Sequence, residues 1–398
     1  MSRQIQDAYI VAVRRTPVGK APRGAFRNTR PDDLLAHAIR ATLDDVPSVD
    51  RARIDDAVIG CAMPEAEQGM NVARIAVLLA GLPQSVAAMT INRFCSSGIQ
   101  AVATAADRIR LGEADLMLAG GTESMSMVPM MGYKPAVNPS IFANEHVAIA
   151  YGMGITAENV AAQWKVSRDD QDAFALASHR KAAAAIATGE FAAEIAPFTL
   201  ADHYPDLSRR AIRSDARVIA QDEGPRADST LEGLAALKPV FRASGSVTAG
   251  NSSQMSDGAA AVLLASERAI KDHGLTPLAR FVGFAVAGVA PEVMGIGPIA
   301  AIPKALGQAG LSKDQIDWIE LNEAFAAQAL AVVRDLGLDA AKVNPLGGAI
   351  ALGHPLGATG AVRTATLVHG LRRRRQRYGM VTMCIGTGMG AAGILEAV

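Results

Sequence analysis

Two stretches of this chain, Ile54-Asp55-Asp56-Ala57-Val58-Ile59 and Ile316-Asp317-Trp318-Ile319-Glu320-Leu321, open alike on Ile-Asp and run on into a short, strand-forming segment. The residues downstream of the two agree as well. After the first comes Cys95-Ser96-Ser97-Gly98, a turn that opens a helix; after the second comes His354-Pro355-Leu356-Gly357 in the same role. Beyond each helix a strand is expected to end in a Gly-Thr pair, Gly121-Thr122 and Gly386-Thr387. Each match is weak alone, but their shared order predicts a duplicated unit. It sets Cys95 and His354 at equivalent places in two halves that can face each other.

The rest of the pattern alternates short apolar runs with longer helical periods. Ala8-Tyr9-Ile10-Val11-Ala12-Val13 reads as a buried strand, residues 34–43 and 71–82 as helices, and Ala57-Val58-Ile59-Gly60 as another strand. This order predicts an α/β layered fold. Residues 123–245 have no counterpart in the second half and read as an insertion, a lid or cofactor-binding subdomain. Within it, 168–188 is helical and Ala201-Asp202-His203-Tyr204-Pro205-Asp206 reads as a polar loop. The expected division is therefore 1–122, completed by 246–272; 123–245; and 273–398. Ser256 opens a strand-like return to the core, and 279–288 begins the second half.

The chain has 398 residues, with 50% hydrophobic and 20% charged, which suits more than one core with a large interior. Lys+Arg and Asp+Glu both number 39, so the basic excess of a nucleic-acid binder is missing. The run Arg372-Arg373-Arg374-Arg375-Gln376-Arg377 reads as the solvated C-terminal end of a helix, where cations are favoured, rather than as a phosphate site. The three cysteines, Cys61, Cys95 and Cys384, show neither zinc-ligand spacing nor a disulfide framework, so no metal is expected and a reducing compartment fits. Neither a signal core at the N-terminus, nor a membrane-spanning apolar stretch, nor a peroxisomal tripeptide in Leu395-Glu396-Ala397-Val398 is read, so the expected location is the cytoplasm. No Gly-rich phosphate loop of the Walker or dinucleotide type occurs.

Cys95 lies in Asn92-Arg93-Phe94-Cys95-Ser96-Ser97-Gly98, directly before a helix expected over 98–111. A lone cysteine is commonly a small buried hydrophobe. At a helix N-terminus, unsatisfied N–H groups and the positive dipole end favour the thiolate, the reactive species in acyl transfer. The dense glycine segment Asn344-Pro345-Leu346-Gly347-Gly348-Ala349-Ile350-Ala351-Leu352-Gly353-His354-Pro355-Leu356-Gly357-Ala358-Thr359-Gly360 tips the reading toward chemistry, since it aims His354 from a constrained turn as a proton acceptor. Cys384 ends a strand and enters Ile385-Gly386-Thr387-Gly388, where N–H groups can form an oxyanion hole and a thiol can pass a proton. Asn322, in Leu321-Asn322-Glu323-Ala324-Phe325, is either a helix N-cap or a donor to a developing oxyanion. Glu323 can cap the helix or steer His354. Cys61 reads as structural.

Together, Asn92-Arg93-Phe94-Cys95-Ser96-Ser97-Gly98, Asn322-Glu323-Ala324-Phe325, Gly353-His354-Pro355 and Cys384-Ile385-Gly386-Thr387-Gly388 resemble the thiolase family over essentially the whole chain. The resemblance implies a five-layered αβαβα body built from two similar βαβαβαββ halves, with an inserted α/β loop domain. It implies that Cys95 carries the acyl group, His354 activates it and Cys384 is the second acid/base. Asn322, through a water, and His354 form one oxyanion hole, and the N–H groups of Cys95 and Gly386 the other. Coenzyme A enters as substrate, with no permanently bound cofactor. Ser253 resembles the serine that meets the pantetheine arm, with Ala249 nearby, Arg226 a contact to the nucleotide end, and Phe241, Met153 and Phe325 pocket-lining residues.

One place departs from the acetoacetyl-CoA-forming members. They carry a His-Met-Gly triplet where this chain reads Tyr151-Gly152-Met153-Gly154, and the segment between Met125 and Ile149 looks short. With Pro22-Arg23-Gly24-Ala25-Phe26-Arg27-Asn28, this resembles the degradative 3-ketoacyl-CoA thiolases of β-oxidation. The alternatives are an acetyl-CoA C-acetyltransferase, a ketoacyl synthase, and a non-catalytic CoA- or lipid-binding relative. The family resemblance also implies a homodimer or homotetramer, or a multifunctional hydratase–dehydrogenase partner.

Overall fold

The computed structural model describes residues 5–143 and 149–398, with Asp202 and His203 described by their backbone alone. Residues 1–4 of the N-terminal stretch and 144–148 of the segment before Ile149 lie outside the described residues. The first half runs β1 (Ala8–Arg15), β2 (Gly19–Lys20), α1 (Pro31–Asp44), β3 (Asp56–Gly60), α2 (Val72–Leu79), β4 (Ala87–Ile91), α3 (Ser97–Arg110) and β5 (Leu116–Ser124). The insertion follows with α4 (Met153–Gln163), α5 (Arg168–Ala187), β6 (Phe198–Asp206), β7 (Ala211–Ile219) and α6 (Leu231–Ala235). Then come β8 (Ser256–Ser266), α7 (Glu267–His273), β9 (Ala279–Gly288), α8 (Gly297–Ala309), β10 (Trp318–Leu321), α9 (Ala326–Leu336), α10 (Ala349–Leu352), α11 (Leu356–Arg374), β11 (Tyr378–Ile385) and β12 (Met389–Ala397).

The strand pairing carries the repeat. In the first half the order is β4-β3-β5-β8-β1, parallel among β4, β3 and β5 and antiparallel thereafter. In the second it is β10-β11-β12-β9, again parallel, then antiparallel, with Val343 bridging to Ile319 in parallel where the first half has β4. The two arrays meet at β1 and β9, through the pairs Tyr9↔Arg280 and Ile10↔Ala279. Helices α3 and α11 fill the space between the sheets, while α1 and α2 cover one outer face and α8 and α9 the other. This is the five-layered αβαβα arrangement. Buried on both faces, β5 and β8 read as continuous apolar and small residues rather than as an alternating pattern.

The central layer is held at backbone contact. A Cβ placed on Gly98 of α3 would lie 2.5 Å from the backbone nitrogen of Ala361 on α11, and one on Gly360 would meet the backbone nitrogen of Ile99. Only hydrogen fits at this crossing, so the first turns of α3 and α11 lie side by side.

The insertion is anchored by a buried ion cluster. Arg15, 1% exposed on β1, donates to Glu194 at 2.7 Å and to both oxygens of Asp222 at 2.7 and 2.9 Å. Asp222 also accepts from the Val18 N–H, and Glu194 from the Thr366 hydroxyl. The arginine run ends α11 as expected. Arg372 donates to the Pro277 carbonyl, Arg373 pairs with Glu190, Arg374 lies over the Trp318 ring and Arg377 pairs with Glu396.

Two expectations are corrected. Residues 201–206 belong to β6, paired with β7 along its whole length. This ribbon is largely solvent-exposed, so its side chains lack the apolar alternation that marks a half-buried strand. Gly121-Thr122 does not end its strand, because β5 continues through Glu123 and Ser124, paired to Gly258 and Asp257 of β8. Only Gly386-Thr387 falls in a turn. Among the described residues, no helix is long and apolar enough to cross a membrane.

The Gly98 crossing makes a direct prediction. Gly98→Ala should destabilise the protein by about 1–3 kcal/mol through overpacking. A denaturant-unfolding midpoint equal to wild type would show that the α3–α11 contact relaxes freely.

Candidate active site

The crossing of α3 and α11 brings the two turns before those helices together. Phe94 adopts φ 44° and starts a single 3₁₀ turn that presents Cys95 just before α3. Gly353 adopts φ 90°, and a side chain there would strike the Ser256 hydroxyl, so glycine is required where the chain turns into His354. The His354 N–H is shared between the Ser256 hydroxyl at 3.1 Å and the Gln254 carbonyl at 3.2 Å. The ring lies between Thr359, whose Oγ1 is 2.6 Å from Nδ1, and Asn322, whose Nδ2 is 3.4 Å from Nε2.

Burial dominates the electrostatics. The Cys95 thiol is pushed up to about 11, chiefly by desolvation, against the pull of the Gly386 and Cys95 N–H groups that face the sulfur. Desolvation, assisted by the Arg363 charge, lowers His354 to about 3. The resting pair is thus a neutral thiol and a neutral imidazole. The N–H groups expected at the helix start do favour the thiolate, but the loss of water outweighs them. Burial also pushes the Cys384 thiol up, and the nearby Cys95 adds to the shift.

Asn322 is not an N-cap. Helix α9 starts at Ala326 with Phe325 in the cap position, and Asn322 is left buried with its Oδ1 unpartnered. A buried acceptor without a partner is costly, and such groups gather at functional sites. Glu323 neither caps α9 nor bonds His354. It accepts from Ser178 at 2.7 Å, Asn344 at 2.7 Å and the Ile350 N–H at 3.2 Å, and so caps α10. Glu123 does the equivalent service for α11, accepting from the N–H groups of Gly357, Ala62 and Met63. Cys61 is fully buried, with its sulfur 3.7 Å from Glu123, as a structural residue would be.

The six residues expected around coenzyme A fall into two groups joined by one segment. Met153 and Phe325 pack in one apolar cluster with Cys384, and the Phe241 ring stands edge-on to Phe325 at 6.1 Å. Arg226 and Ala249 line a cleft of about 240 Å³ with His179, Ser229, Leu234 and Gln254. Between the groups runs 249–255. The Ser253 N–H donates to the Ala324 carbonyl, Gln254 reaches from the cleft to the His354 N–H, and Met255 bridges to His354. His179 was not legible in the sequence, because it sits within a long helix with no local motif. Its Nδ1 accepts from the Arg226 N–H at 3.2 Å, which leaves Nε2 as the protonated nitrogen.

The depressed His354 gives a pH prediction. Between its folded value near 3 and the unfolded value near 6.5, the unfolded chain takes up a proton that the folded chain refuses. Its stabilising contribution is therefore complete above about pH 6.5 and is lost as pH falls through that window. The stability difference between pH 7 and pH 5 should be smaller in His354→Gln than in wild type. Equal differences in urea titrations would place the acid sensitivity elsewhere.

Comparison with known proteins agrees with this geometry. Residues 8–268 match the model of the thiolase N-terminal domain, and residues 275–397 that of the thiolase C-terminal domain. A "3-ketoacyl-CoA thiolase" of Bacillus subtilis is 52% identical over 399 residues, covering 98% of this chain and 100% of the relative. The solved Bacillus anthracis acetyl-CoA acetyltransferase superposes with a TM-score of 0.89 at 40% identity, covering 100% of both chains. Human mitochondrial 3-ketoacyl-CoA thiolase in complex with CoA does so at 0.88 and 40%, again covering 100% of both. With both domain models matched in order across a duplicated αβαβα body, the chain belongs to the thiolase family.

Proposed function

We propose that this enzyme is a 3-ketoacyl-CoA thiolase, an acyltransferase that cleaves 3-ketoacyl-CoA with coenzyme A to acetyl-CoA and a shortened acyl-CoA. The observation that carries the reading is the packing of the turn holding Cys95 against both α11, which follows His354, and β11, which holds Cys384, with Asn322 at the His354 ring and its Oδ1 left without a partner. A segment from an open cleft leads to it. The name of the Bacillus subtilis relative supports the same substrate class.

In this reading the Cys95 proton passes to His354 as the sulfur attacks the 3-keto carbon. The bond between C2 and C3 then breaks, and the Cys384 S–H protonates the C2 carbanion of the departing acetyl-CoA. Free CoA gives its thiol proton to the Cys384 thiolate and attacks the acyl group. His354 returns its proton to the Cys95 sulfur. The neutral resting pair suits this sequence, since no standing charge is stored and each proton moves only as bonds change. The N–H groups of Cys95 and Gly386 form one oxyanion hole, and Asn322, through a water, with His354 the other. Ser253 and Ala249 follow the pantetheine arm, Arg226 meets the nucleotide end, and Met153, Phe241 and Phe325 line the reacting end. Residues 123–245 act as the CoA-binding loop domain, between a half at 1–122 completed by 246–272 and a half at 273–398.

For the acyl side we infer a degradative enzyme of fatty-acid β-oxidation with room for longer chains. A Cβ at Gly152 would meet nothing within 4 Å, so the space is open where the acetoacetyl-CoA-forming members carry histidine. The second reading, an acetyl-CoA C-acetyltransferase, is favoured by the likeness to the Bacillus anthracis structure. A homo-oligomer is supported by β4, which among the described residues pairs only with β3 at the sheet's end and exposes Met89, with Leu78 and Leu79 exposed on the neighbouring α2. Three free, buried thiols suit a reducing compartment such as the cytoplasm.

Thiolysis of acetoacetyl-CoA and of 3-ketoacyl-CoAs of increasing length tests the assignment. Efficient cleavage of the longer substrates, abolished in Cys95→Ser, is expected. Activity confined to acetoacetyl-CoA would select the acetyltransferase, and no Cys95-dependent cleavage would remove the catalytic reading. Gly152→His should lower kcat/KM for long-chain substrates by about tenfold or more while sparing acetoacetyl-CoA, the size of effect that pocket sterics produce. An unchanged chain-length profile would move the specificity determinant away from α4.

A further inference from the structure

Thr359 is fully buried in the first turn of α11 and lies outside the four motif segments. Thr364 of this helix bonds back to the Gly360 carbonyl of the preceding turn at 2.7 Å. That is the ordinary use of a helical threonine hydroxyl. The Thr359 hydroxyl instead sits 2.6 Å from His354 Nδ1. On the other side of the ring, the group nearest Nε2 is the Asn322 Nδ2 amide, a donor, at 3.4 Å. With the amide set so that its N–H meets Nε2, the lone pair lies there and the ring proton sits on Nδ1, toward the Thr359 oxygen.

We propose that Thr359 is a positioning residue. Its hydroxyl oxygen accepts the Nδ1 proton and so holds the His354 imidazole in the tautomer whose Nε2 takes the Cys95 proton. The inference rests on the reading of His354 as the base. When Nε2 is protonated, the same Nδ1–H bond keeps the imidazolium aimed to return its proton to the sulfur. In the opposite tautomer Nε2 would carry hydrogen and have no lone pair to receive a proton, and the base would be lost with every atom still in place. A single hydroxyl therefore selects between a working and an idle histidine without touching substrate.

The test compares Thr359→Val, Thr359→Ser and His354→Gln in the full-length enzyme, using acetoacetyl-CoA and a longer 3-ketoacyl-CoA. Loss of an orienting partner behind a functional histidine costs about tenfold to a hundredfold. Thr359→Val, with the methyl groups but no hydroxyl, should lose kcat by that factor, keep the KM for CoA and shift the pH profile of kcat. Thr359→Ser should retain most of the rate. Histidine-selective ¹⁵N NMR of the wild-type enzyme, assigned by difference with His354→Gln, should show His354 protonated on Nδ1. Wild-type kcat in Thr359→Val, a serine variant as slow as the valine variant, or an Nε2-protonated His354 would each overturn the proposal. The NMR reading decides it even if a variant fails to fold. If His354→Gln itself keeps full activity, it is the assignment of the base that fails, not the role of Thr359 alone.

Discussion

The close approach of α3 and α11 is the constraint on which the rest of the structure depends. Gly98 and Gly360 remove the side chains that would otherwise separate the two backbones. With the helices at that distance, the turns preceding them converge, one bringing a thiol and the other an imidazole. The sheets on either side, built in the same strand order, are what allow two equivalent helices to meet. A duplicated fold thus becomes an asymmetric site: the same position in each half holds a different chemical group.

Burial is the second organising force, and it acts on the site in a single sense. It raises the Cys95 and Cys384 thiols and lowers His354, so all three groups are neutral at rest. The charges that remain in the interior are tied down by ion pairs and N–H groups. Arg15 is enclosed by Glu194 and Asp222, and Glu123 and Glu323 cap α11 and α10. These carboxylates satisfy the helix starts and loop ends that frame the pocket, which keeps its geometry fixed when the chemistry shifts charge. Breaking such buried pairs one partner at a time is expensive, because the other charge is left without water or counter-ion.

Much of this was legible in the chain, and the misses have physical causes. The duplication and the positions of Cys95 and His354 followed from order and spacing. Helix α2 proved shorter than the 71–82 read from periodicity, because Asn71 takes a left-handed conformation that starts it and the chain turns at Ala80 and Gly81. The β6–β7 ribbon was missed because strand periodicity reports one buried face, and this ribbon is largely exposed. Asn322 and Glu323 were undecided because both are good capping residues. Only the three-dimensional position of α10, brought against the loop before α9, shows that Glu323 caps α10 and that Asn322 caps neither helix.

The linear chain by itself determined which groups are available: a thiol before one helix, a histidine before its counterpart, a second thiol at a strand end and glycines where backbones must touch. Those follow from local rules of turn, cap and period that operate within a few residues. The tertiary structure alone decided which groups are charged and which nitrogen of His354 faces which partner. Solvation and hydrogen bonding at a buried site are set by neighbours far apart in sequence. His354 meets Asn322 across 32 positions, and Cys95 meets Gly386 from the opposite half of the molecule. No local pattern encodes the water that folding removes from between them.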